Sequence, residues 1–238
     1  MAFAPIRHSG VTLWEGDPDC QAAHDALLAR LIAMNSTFIG AAAVLDVNRK
    51  GNLGEFISLY VSSSYTGLSR AHKFANNATN PLGGMSLPGL DITYVLIHPS
   101  NPASDLVCLQ EVKTTGDRSL NYGNNLVRDY GKLFGDDLDF TLASRLQVVA
   151  NKFELEQNMP DLCECVLALA GEIPSQCPRI HLVPTLVHER NSAAPAPKLL
   201  AIRTAIASQG WTIANIHAWS IALSQIDDRL QRLARGQK

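Results

Sequence analysis

The sequence has no apolar run that approaches the ~20 residues needed to cross a bilayer. Its first residues, Met-Ala-Phe-Ala-Pro-Ile-Arg, lack the basic segment and apolar core of a secretory signal. Low-complexity tracts are missing as well, which argues against a disordered chain. We therefore expect a folded, soluble, cytoplasmic protein with no membrane partner.

Motifs of several common enzyme classes are also missing. No Gly-x-Ser-x-Gly, P-loop or Gly-x-Gly-x-x-Gly arrangement occurs, which argues against a hydrolase elbow, an NTPase and a dinucleotide-binding enzyme. The 7 histidines include no His-x-x-x-His pair, and the 5 cysteines include no Cys-x-x-Cys pair. We expect these side chains to be structural, and any ATP dependence to come from a partner protein such as a helicase or ATPase.

An excess of positive charge is missing too. The 20 basic and 22 acidic residues leave a net charge of −2, whereas a protein that neutralises several phosphates usually shows a basic balance. Two local basic clusters are either solvated faces or contacts to nucleic acid. They consist of Arg49, Lys50, Arg70 and Lys73, and of Arg229, Arg232, Arg235 and Lys238. A nucleic-acid substrate would thus imply weak intrinsic affinity or help from a partner.

The most informative feature that the sequence does contain is a predicted β-hairpin with charged ends. Its arms are residues 91–98 and 105–113, which are β-branched and mostly apolar, and residues 99–104 form the turn. Glu111 and Lys113 are two positions apart, so a strand places them on one face. A symmetric turn would pair Asp91 with Val112, and we predict a slip of one residue, or a bulge, that moves Asp91 to the carboxylate face.

Those residue types suit metal-dependent hydrolysis of phosphodiesters. Two carboxylates provide the hard oxygen ligands that Mg²⁺ prefers, and Mn²⁺ is an alternative metal. The metal can polarise a phosphate oxygen and acidify a water, while the ammonium of Lys113 orients that water and stabilises developing charge. The alternative interpretation is a solvated strand end, because a Glu-x-Lys triplet is common by chance.

A fourth acid precedes the hairpin. Residues 51–61 predict a helix whose apolar stripe comprises Leu53, Phe56, Ile57, Tyr60 and Val61. Glu55 is the only charge on this helix. It either reaches the metal, directly or through water, or lies exposed on the polar face.

Taken together, Glu55 on the first helix, Asp91 and Glu111-x-Lys113 resemble the PD-(D/E)XK nuclease superfamily, over roughly residues 50–135. The resemblance implies that Asp91 and Glu111 are metal ligands, that Lys113 positions the water, and that Glu55 is an auxiliary acid and ligand. It also implies a restriction-endonuclease-like α/β core, with a central mixed β-sheet flanked by helices.

The sequence departs from that family at two places. Leu90 stands where the family often has proline before the aspartate, and the Gln-x-x-x-Tyr helix of some branches has only Asn125 and Tyr130 as counterparts, at another spacing. The Gly-Glu-Phe helix and the Gly-Leu-Asp hairpin are also similar to nuclease subunits of bacterial antiphage defence systems such as Hachiman. This likeness implies a role in antiviral defence or restriction.

The remaining periodicities complete the expected organisation. They predict helices at 19–34, 120–134, 141–156, 161–170, 198–209 and 225–234, and strands at 179–189 and 211–223. We expect an N-terminal helical extension over residues 1–48, followed by a nuclease-like domain over 49–238. Residues 191–197 are the one interior stretch that we expect to be flexible. The last helix either closes the core or joins two chains in a homodimer.

The primary hypothesis is a Mg²⁺-dependent endonuclease that cleaves DNA, with RNA left open as a substrate. The alternative is a catalytically inactive binding or regulatory subunit that keeps the nuclease fold as a docking scaffold.

Overall fold

The protein is an α/β structure built on one mixed sheet. The computed structural model describes residues 3–16, 47–64, 67–75, 90–98, 100–134, 142–155, 158–170, 176–228 and 231. The described strands are β1 (Phe3–His8), β2 (Val11–Gly16), β3 (His72–Ala75), β4 (Ile92–Leu96), β5 (Leu106–Thr115), β6 (Ile180–Glu189) and β7 (Ala218–Leu223). The described α-helices are α1 (Val47–Ser64), α2 (Asn124–Gly131), α3 (Leu142–Leu155), α4 (Pro160–Ala170) and α5 (Pro195–Ala207).

The seven strands have the order β1-β2-β7-β6-β5-β4-β3. The four inner strands β2, β7, β6 and β5 are parallel to one another. Antiparallel hairpins extend this parallel centre on both sides, through β1 on one side and through β4 and β3 on the other. The expected central mixed sheet flanked by helices is confirmed.

Apolar side chains cover the sheet on both faces. On one face, α2, α3, α4 and α5 pack against side chains that include Val107, Leu109 and Leu186. On the other face, α1 packs through Ile57 and Val61 against a cluster that includes Val112. Because successive strand residues point to opposite faces, β5 carries Glu111 and Lys113 on the face of α2.

Residues 3–16 form part of the sheet. The expected helical extension over residues 1–48 is therefore wrong for this segment. Strands β1 and β2 form a hairpin, and β2 pairs in parallel with β7. Arg203 holds the hairpin turn against the chain before β7, since its guanidinium donates to the carbonyl groups of Ser9, Ile213 and Ile216. The helix expected at 19–34 lies outside the described residues.

The predicted hairpin at residues 91–113 is confirmed, together with its slipped register. Strands β4 and β5 pair Ile92 with Gln110 and Leu96 with Leu106. Continuing that register by one residue places Asp91 opposite Glu111, not opposite Val112. The slip matters because it moves Asp91 to the face that carries Glu111 and Lys113.

Helix α1 confirms the helix expected at 51–61, but its buried face is rotated from the predicted apolar stripe, since it includes Ile57 and Val61 and leaves Tyr60 exposed. Tyr60 is 38 % exposed. The buried positions are Gly54, Glu55, Ile57, Ser58, Val61 and Ser62. Small and polar side chains allow the helix to approach β5 closely, and a Cβ atom added at Gly54 would lie 1.8 Å from Oγ1 of Thr114.

We expect Gly54→Ala to destabilise the protein by about 1–3 kcal/mol, because the added methyl group would push α1 away from β5. Gly51 on the same helix is the matched control, since nothing lies within 4 Å of a Cβ atom built there. Gly51→Ala should therefore stabilise the helix by about 0.5–1 kcal/mol. Urea unfolding of the two variants measures both changes, and equal effects would contradict the close approach at Gly54.

Other elements follow the sequence pattern with shifted boundaries. The helices expected at 141–156 and 161–170 and the strand at 179–189 are confirmed as α3, α4 and β6. The segment at 120–134 is helical but divided, with 3₁₀ turns before and after α2. Helix α5 begins at Pro195 inside the stretch expected to be flexible, because proline is tolerated in the first helical turn.

The strand expected at 211–223 is shorter, since β7 begins at Ala218 after a 3₁₀ turn. Of the helix expected at 225–234, residues 226–228 and 231 are described and are helical. None of the helices described here has the length and apolar character needed to cross a membrane.

Candidate functional site

Asp91 lies where β4 begins, and its side chain binds the neighbouring strand. Oδ2 of Asp91 accepts the backbone N–H of Val112 at 2.6 Å. A continued β4 backbone would otherwise bond this N–H, so the carboxylate completes the ladder at the end of the hairpin. This bond holds the Asp91 carboxylate beside the segment that carries Glu111 and Lys113.

Lys113 is the centre of a charged cluster at this end of β5. Its ammonium nitrogen lies 2.6 Å from Oε1 of Glu111 and 2.7 Å from Oδ2 of Asp129 on α2. The side chains of Lys113, Glu111 and Asp129 are 15 %, 9 % and 14 % exposed, so the cluster is largely shielded from water. These charges therefore interact more strongly than they would on an open surface.

Asp129 connects the cluster to two exposed basic side chains. Its Oδ1 lies 2.8 Å from the Lys132 ammonium and 3.5 Å from Nε of Arg128. Burial opposes ionisation of Asp129, yet the hydrogen bonds from Lys113 and Lys132 lower its pKa below the usual value. Asp129 is therefore a carboxylate that binds Lys113 firmly.

The carboxyl group of Asp91 is disfavoured as an anion. Burial raises its pKa well above the usual value of 3.8, and the negative charges of Glu111 and Asp129 raise it further, against the opposing effect of Lys113. The surroundings of Lys113, in contrast, favour its charged form. Burial alone would lower its pKa, but Glu111, Asp91 and Asp129 raise it above its usual range, so this lysine stays protonated at neutral pH.

Tyr130 fixes the backbone beneath the cluster. Its hydroxyl group donates to the carbonyl of Leu109 at 2.9 Å and accepts the N–H of Glu111 at 3.1 Å. The side chain is fully buried, and burial together with the charge of Glu111 raises its pKa well above the usual value. Tyr130 therefore remains neutral and clamps the strand at the position from which Glu111 projects.

We expect Tyr130→Phe to destabilise the protein by about 1–3 kcal/mol, because it removes a buried hydroxyl from two backbone groups of β5. If Glu111 supports catalysis, the loosened strand should also lower activity, by up to about 100-fold. Tyr122→Phe is the control, since Tyr122 lies nearby in sequence and is 39 % exposed. Denaturant unfolding and initial cleavage rates test both effects, and unchanged stability would contradict the clamp.

Glu55 approaches the same end of the sheet from the opposite face. It is 7 % exposed, which excludes the alternative of an exposed polar-face glutamate. Its neighbour Gly54 meets Thr114, the residue after Lys113, and α1 covers the face opposite to that of Glu111. The structure thus brings Asp91, Glu111 and Lys113 together on one face, and the role of Glu55 stays a prediction.

Sequence reasoning missed Asp129 and did not assign Tyr130 to the site. Both lie on α2, 16 and 17 positions beyond Lys113, and no strand spacing relates them to the hairpin. The sequence pattern did contain one signal that these two residues lie near the hairpin. Asp129 and Tyr130 lie in a predicted helix directly after the strand, and such a helix must fold back over the sheet.

The donor chemistry of the cluster fits a hard divalent cation. Mg²⁺ in proteins is held by one or two carboxylates and keeps several waters. Asp91 and Glu111 could supply those carboxylates, and a cation on Glu111 would share that carboxylate with Lys113 or displace it. Within the described residues, no three His, Cys, Asp or Glu side chains are arranged to hold a metal ion among themselves.

A scan of the chain against models of known protein families finds no match, and a search of the curated proteins finds none either.

Proposed function

We propose that the protein is a Mg²⁺-dependent endonuclease that hydrolyses phosphodiester bonds of DNA, and that Mn²⁺ can replace Mg²⁺. The observation that carries the proposal is the convergence of Asp91, Glu111 and Lys113 at one end of the hairpin. We assign the surrounding sheet and helices to a restriction-endonuclease-like core on the same ground.

The balance of charge supports a cation at this position. Asp91, Glu111 and Asp129 all interact with Lys113, and the pKa of Asp91 rises because burial and its acidic neighbours oppose a further negative charge. A divalent cation would relieve that repulsion. Asp91 and Glu111 would hold it, and Glu55, which lies on the opposite face of the sheet, would act as an auxiliary acid through water.

Lys113 would act as a fixed positive charge. Bound Mg²⁺ would polarise a phosphate oxygen and acidify a water. We assign Lys113 no role as the general base, because the carboxylates around it raise its pKa and favour the protonated ammonium. It would instead orient the attacking water and stabilise the charge that develops on the phosphate. Asp129 and Tyr130 would be positioning residues, acting on Lys113 and on the backbone of Glu111.

The surface beside the cluster supports a polyanionic substrate. The side chains of Arg128 and Lys132 on either side of Asp129 are 66 % and 52 % exposed, so both could contact phosphates next to the scissile bond. The net charge of −2 argues that these contacts alone bind weakly. We therefore propose that a partner, such as a helicase or ATPase, delivers the nucleic acid, in antiphage defence or restriction.

A second candidate function is an inactive nuclease-fold subunit that binds or regulates other proteins. It is favoured by the direct ion pair between Lys113 and Glu111, in which the two side chains neutralise one another without a metal. Calorimetric titration with Mg²⁺ and Mn²⁺ separates the two functions. A folded protein that binds neither ion at millimolar concentration supports the inactive subunit.

The endonuclease is tested by incubating the purified chain with plasmid, single-stranded DNA and RNA, each with Mg²⁺, Mn²⁺ or EDTA. We expect cleavage of DNA that requires the metal and is lost in Glu111→Gln. Cleavage of RNA alone would reassign the substrate. Equal cleavage by the wild type and by Glu111→Gln would reject the assigned site.

A further inference from the structure

Tyr94, Gln110 and Thr185 form a polar line of hydrogen bonds across three adjacent strands, β4, β5 and β6. All three residues are 0 % exposed. The hydroxyl of Tyr94 bonds Oε1 of Gln110, and Nε2 of Gln110 lies 2.7 Å from Oγ1 of Thr185. The polar line lies on the face that α1 covers, opposite to Glu111 and Lys113, so none of its members could touch the proposed metal.

One carbonyl group fixes the donors and acceptors along the polar line. Oγ1 of Thr185 lies 3.1 Å from the carbonyl oxygen of Val183, which can only accept, so the single hydroxyl hydrogen of Thr185 points there. Thr185 therefore accepts from the NH₂ group of Gln110, and the amide oxygen faces β4. Because that oxygen can only accept, Tyr94 donates to it. Burial raises the pKa of Tyr94, which keeps the phenol protonated for this bond.

Hydrophobic burial gives β4 little reason to prefer one register over another. The strand is covered on both faces, and both faces carry apolar side chains. Ile92 lies on the α1 side and Val95 on the opposite side. A slip of one residue exchanges the two faces, so it would still bury apolar groups. Another feature therefore has to define how β4 pairs with β5.

The polar line supplies that feature. The hairpin pairs Tyr94 with Cys108, two positions before Gln110, and such diagonal neighbours are within reach of an aromatic side chain. A one-residue slip would turn Tyr94 to the other face and break its bond to the amide oxygen of Gln110, which would then be buried without this donor. The same slip would turn Asp91 away from the face of Glu111.

We propose that the polar line positions the metal site, because it selects the register that holds Asp91 beside Glu111. Buried polar groups of this kind can specify one arrangement among several that are similarly apolar. The consequence for Mg²⁺ rests on the endonuclease proposed above. The register itself has a separate readout, since the N–H of Val112 bonds Asp91 in this register and its hydrogen exchange can be measured without metal.

The test replaces the polar line with apolar side chains of similar shape, in the triple variant Tyr94→Phe, Gln110→Met and Thr185→Val. Such a complete replacement can leave stability nearly unchanged, so we expect a folded protein with a Tm near that of the wild type. The Val112 amide should exchange at least about tenfold faster, because its bond to Asp91 is less populated. Calorimetry should show an affinity for Mg²⁺ that is lower by about 10–100-fold, the usual loss when a group that orients a metal ligand is removed.

Two control variants break other hydrogen bonds between neighbouring segments of the sheet. Ser220→Ala removes the buried 2.6 Å contact between Oγ of Ser220 and Nε2 of His188. His217→Ala removes the 3.0 Å contact between Nε2 of His217 and Nδ1 of His181. Both should lower the Tm without changing the exchange of the Val112 amide or the affinity for Mg²⁺.

Tyr94→Phe alone is the second test, which applies even if the triple variant fails to fold. It removes one hydroxyl and should shift both readouts in the direction expected for the triple variant. The inference is overturned if a folded triple or single variant keeps the wild-type exchange of the Val112 amide, or if Ser220→Ala accelerates that exchange equally.

Faster exchange with an unchanged affinity for Mg²⁺ would end the role of the polar line in positioning the metal site. A wild-type protein that binds no Mg²⁺ would reject the proposed metal site, and the exchange of the Val112 amide would still decide whether the polar line selects the register.

Discussion

Replacing Lys113 with alanine is expected to lower the rate of DNA cleavage by about 10²–10³-fold, or about 2.7–4 kcal/mol of transition-state stabilisation. The ammonium of Lys113 bonds both Glu111 and Asp129. Its loss removes the charge that would face the phosphate. Single-turnover cleavage at saturating Mg²⁺ measures the effect, since it reports chemistry without product release.

Lys132→Ala is the matched control for Lys113→Ala. Lys132 also binds Asp129, at 2.8 Å, but its side chain is 52 % exposed. We expect weaker DNA binding and a chemical step within about threefold of the wild type, since exposed ion pairs contribute only about 0–1 kcal/mol. Thermal unfolding of both variants shows whether a loss of activity is a loss of fold. A well-folded Lys113→Ala variant with full activity would exclude the proposed role.

Replacing Asp91 with asparagine is expected to stabilise the metal-free protein while abolishing its response to Mg²⁺. Burial and Glu111 raise the pKa of Asp91, so the anion costs more in the folded state than in the unfolded chain, and a neutral amide removes that cost. The amide oxygen can still accept the N–H of Val112. Greater stability with lost activity is the usual sign of a functional site that is not optimised for folding.

The pH dependence of stability follows from the direction of the same shift. The folded pKa of Asp91 lies above its unfolded value, so the stabilising contribution of its proton is present below about pH 3.8. That contribution is lost as the pH rises through the folded pKa. Asp91→Asn should therefore lose less stability than the wild type as the pH rises from about 3.8 through the folded pKa of Asp91. Urea unfolding at several pH values in EDTA measures the difference.

Magnesium should make the wild type more stable than Asp91→Asn, which reverses the order of stability expected without metal. At about 100 times its Kd, Mg²⁺ would stabilise the wild type by about 2.7 kcal/mol, or about 5–10 °C in Tm. Asp91→Asn should show almost no shift, whereas Asp228→Asn, at an exposed acid, should respond like the wild type. Equal Mg²⁺ shifts in wild type and Asp91→Asn would remove Asp91 from the proposed metal site.

The hairpin and its charged face could be predicted because both depend on short-range periodicity. β-Branched runs separated by a turn form paired strands, and a period of two places Glu111 and Lys113 on one face whatever the rest of the chain does. Periodicity alone does not determine the register of the two strands. A 3₁₀ turn at Pro102–Ser104, and a hydrogen bond from the His98 N–H to Asp105, accompany the one-residue slip that aligns Asp91 with Glu111.

The buried face of α1 was misjudged for a different reason. Counting apolar residues favoured a stripe that includes Tyr60, but the helix turns its small and polar positions toward β5 because Gly54 lets the backbones approach. Hydrophobicity along one helix cannot reveal how closely a neighbouring strand approaches. The burial of Glu55 therefore appeared only in three dimensions.

By itself, the sequence determined the α/β class, the hairpin and the three polar residues at its end, since each depends on neighbours a few positions apart. Only the tertiary structure decided that Asp129 binds Lys113, that Tyr130 clamps the strand of Glu111, and that His181 meets His217. Those contacts join residues from separate elements. Their partners are chosen by how helices and strands pack in space, which no local period in the chain records.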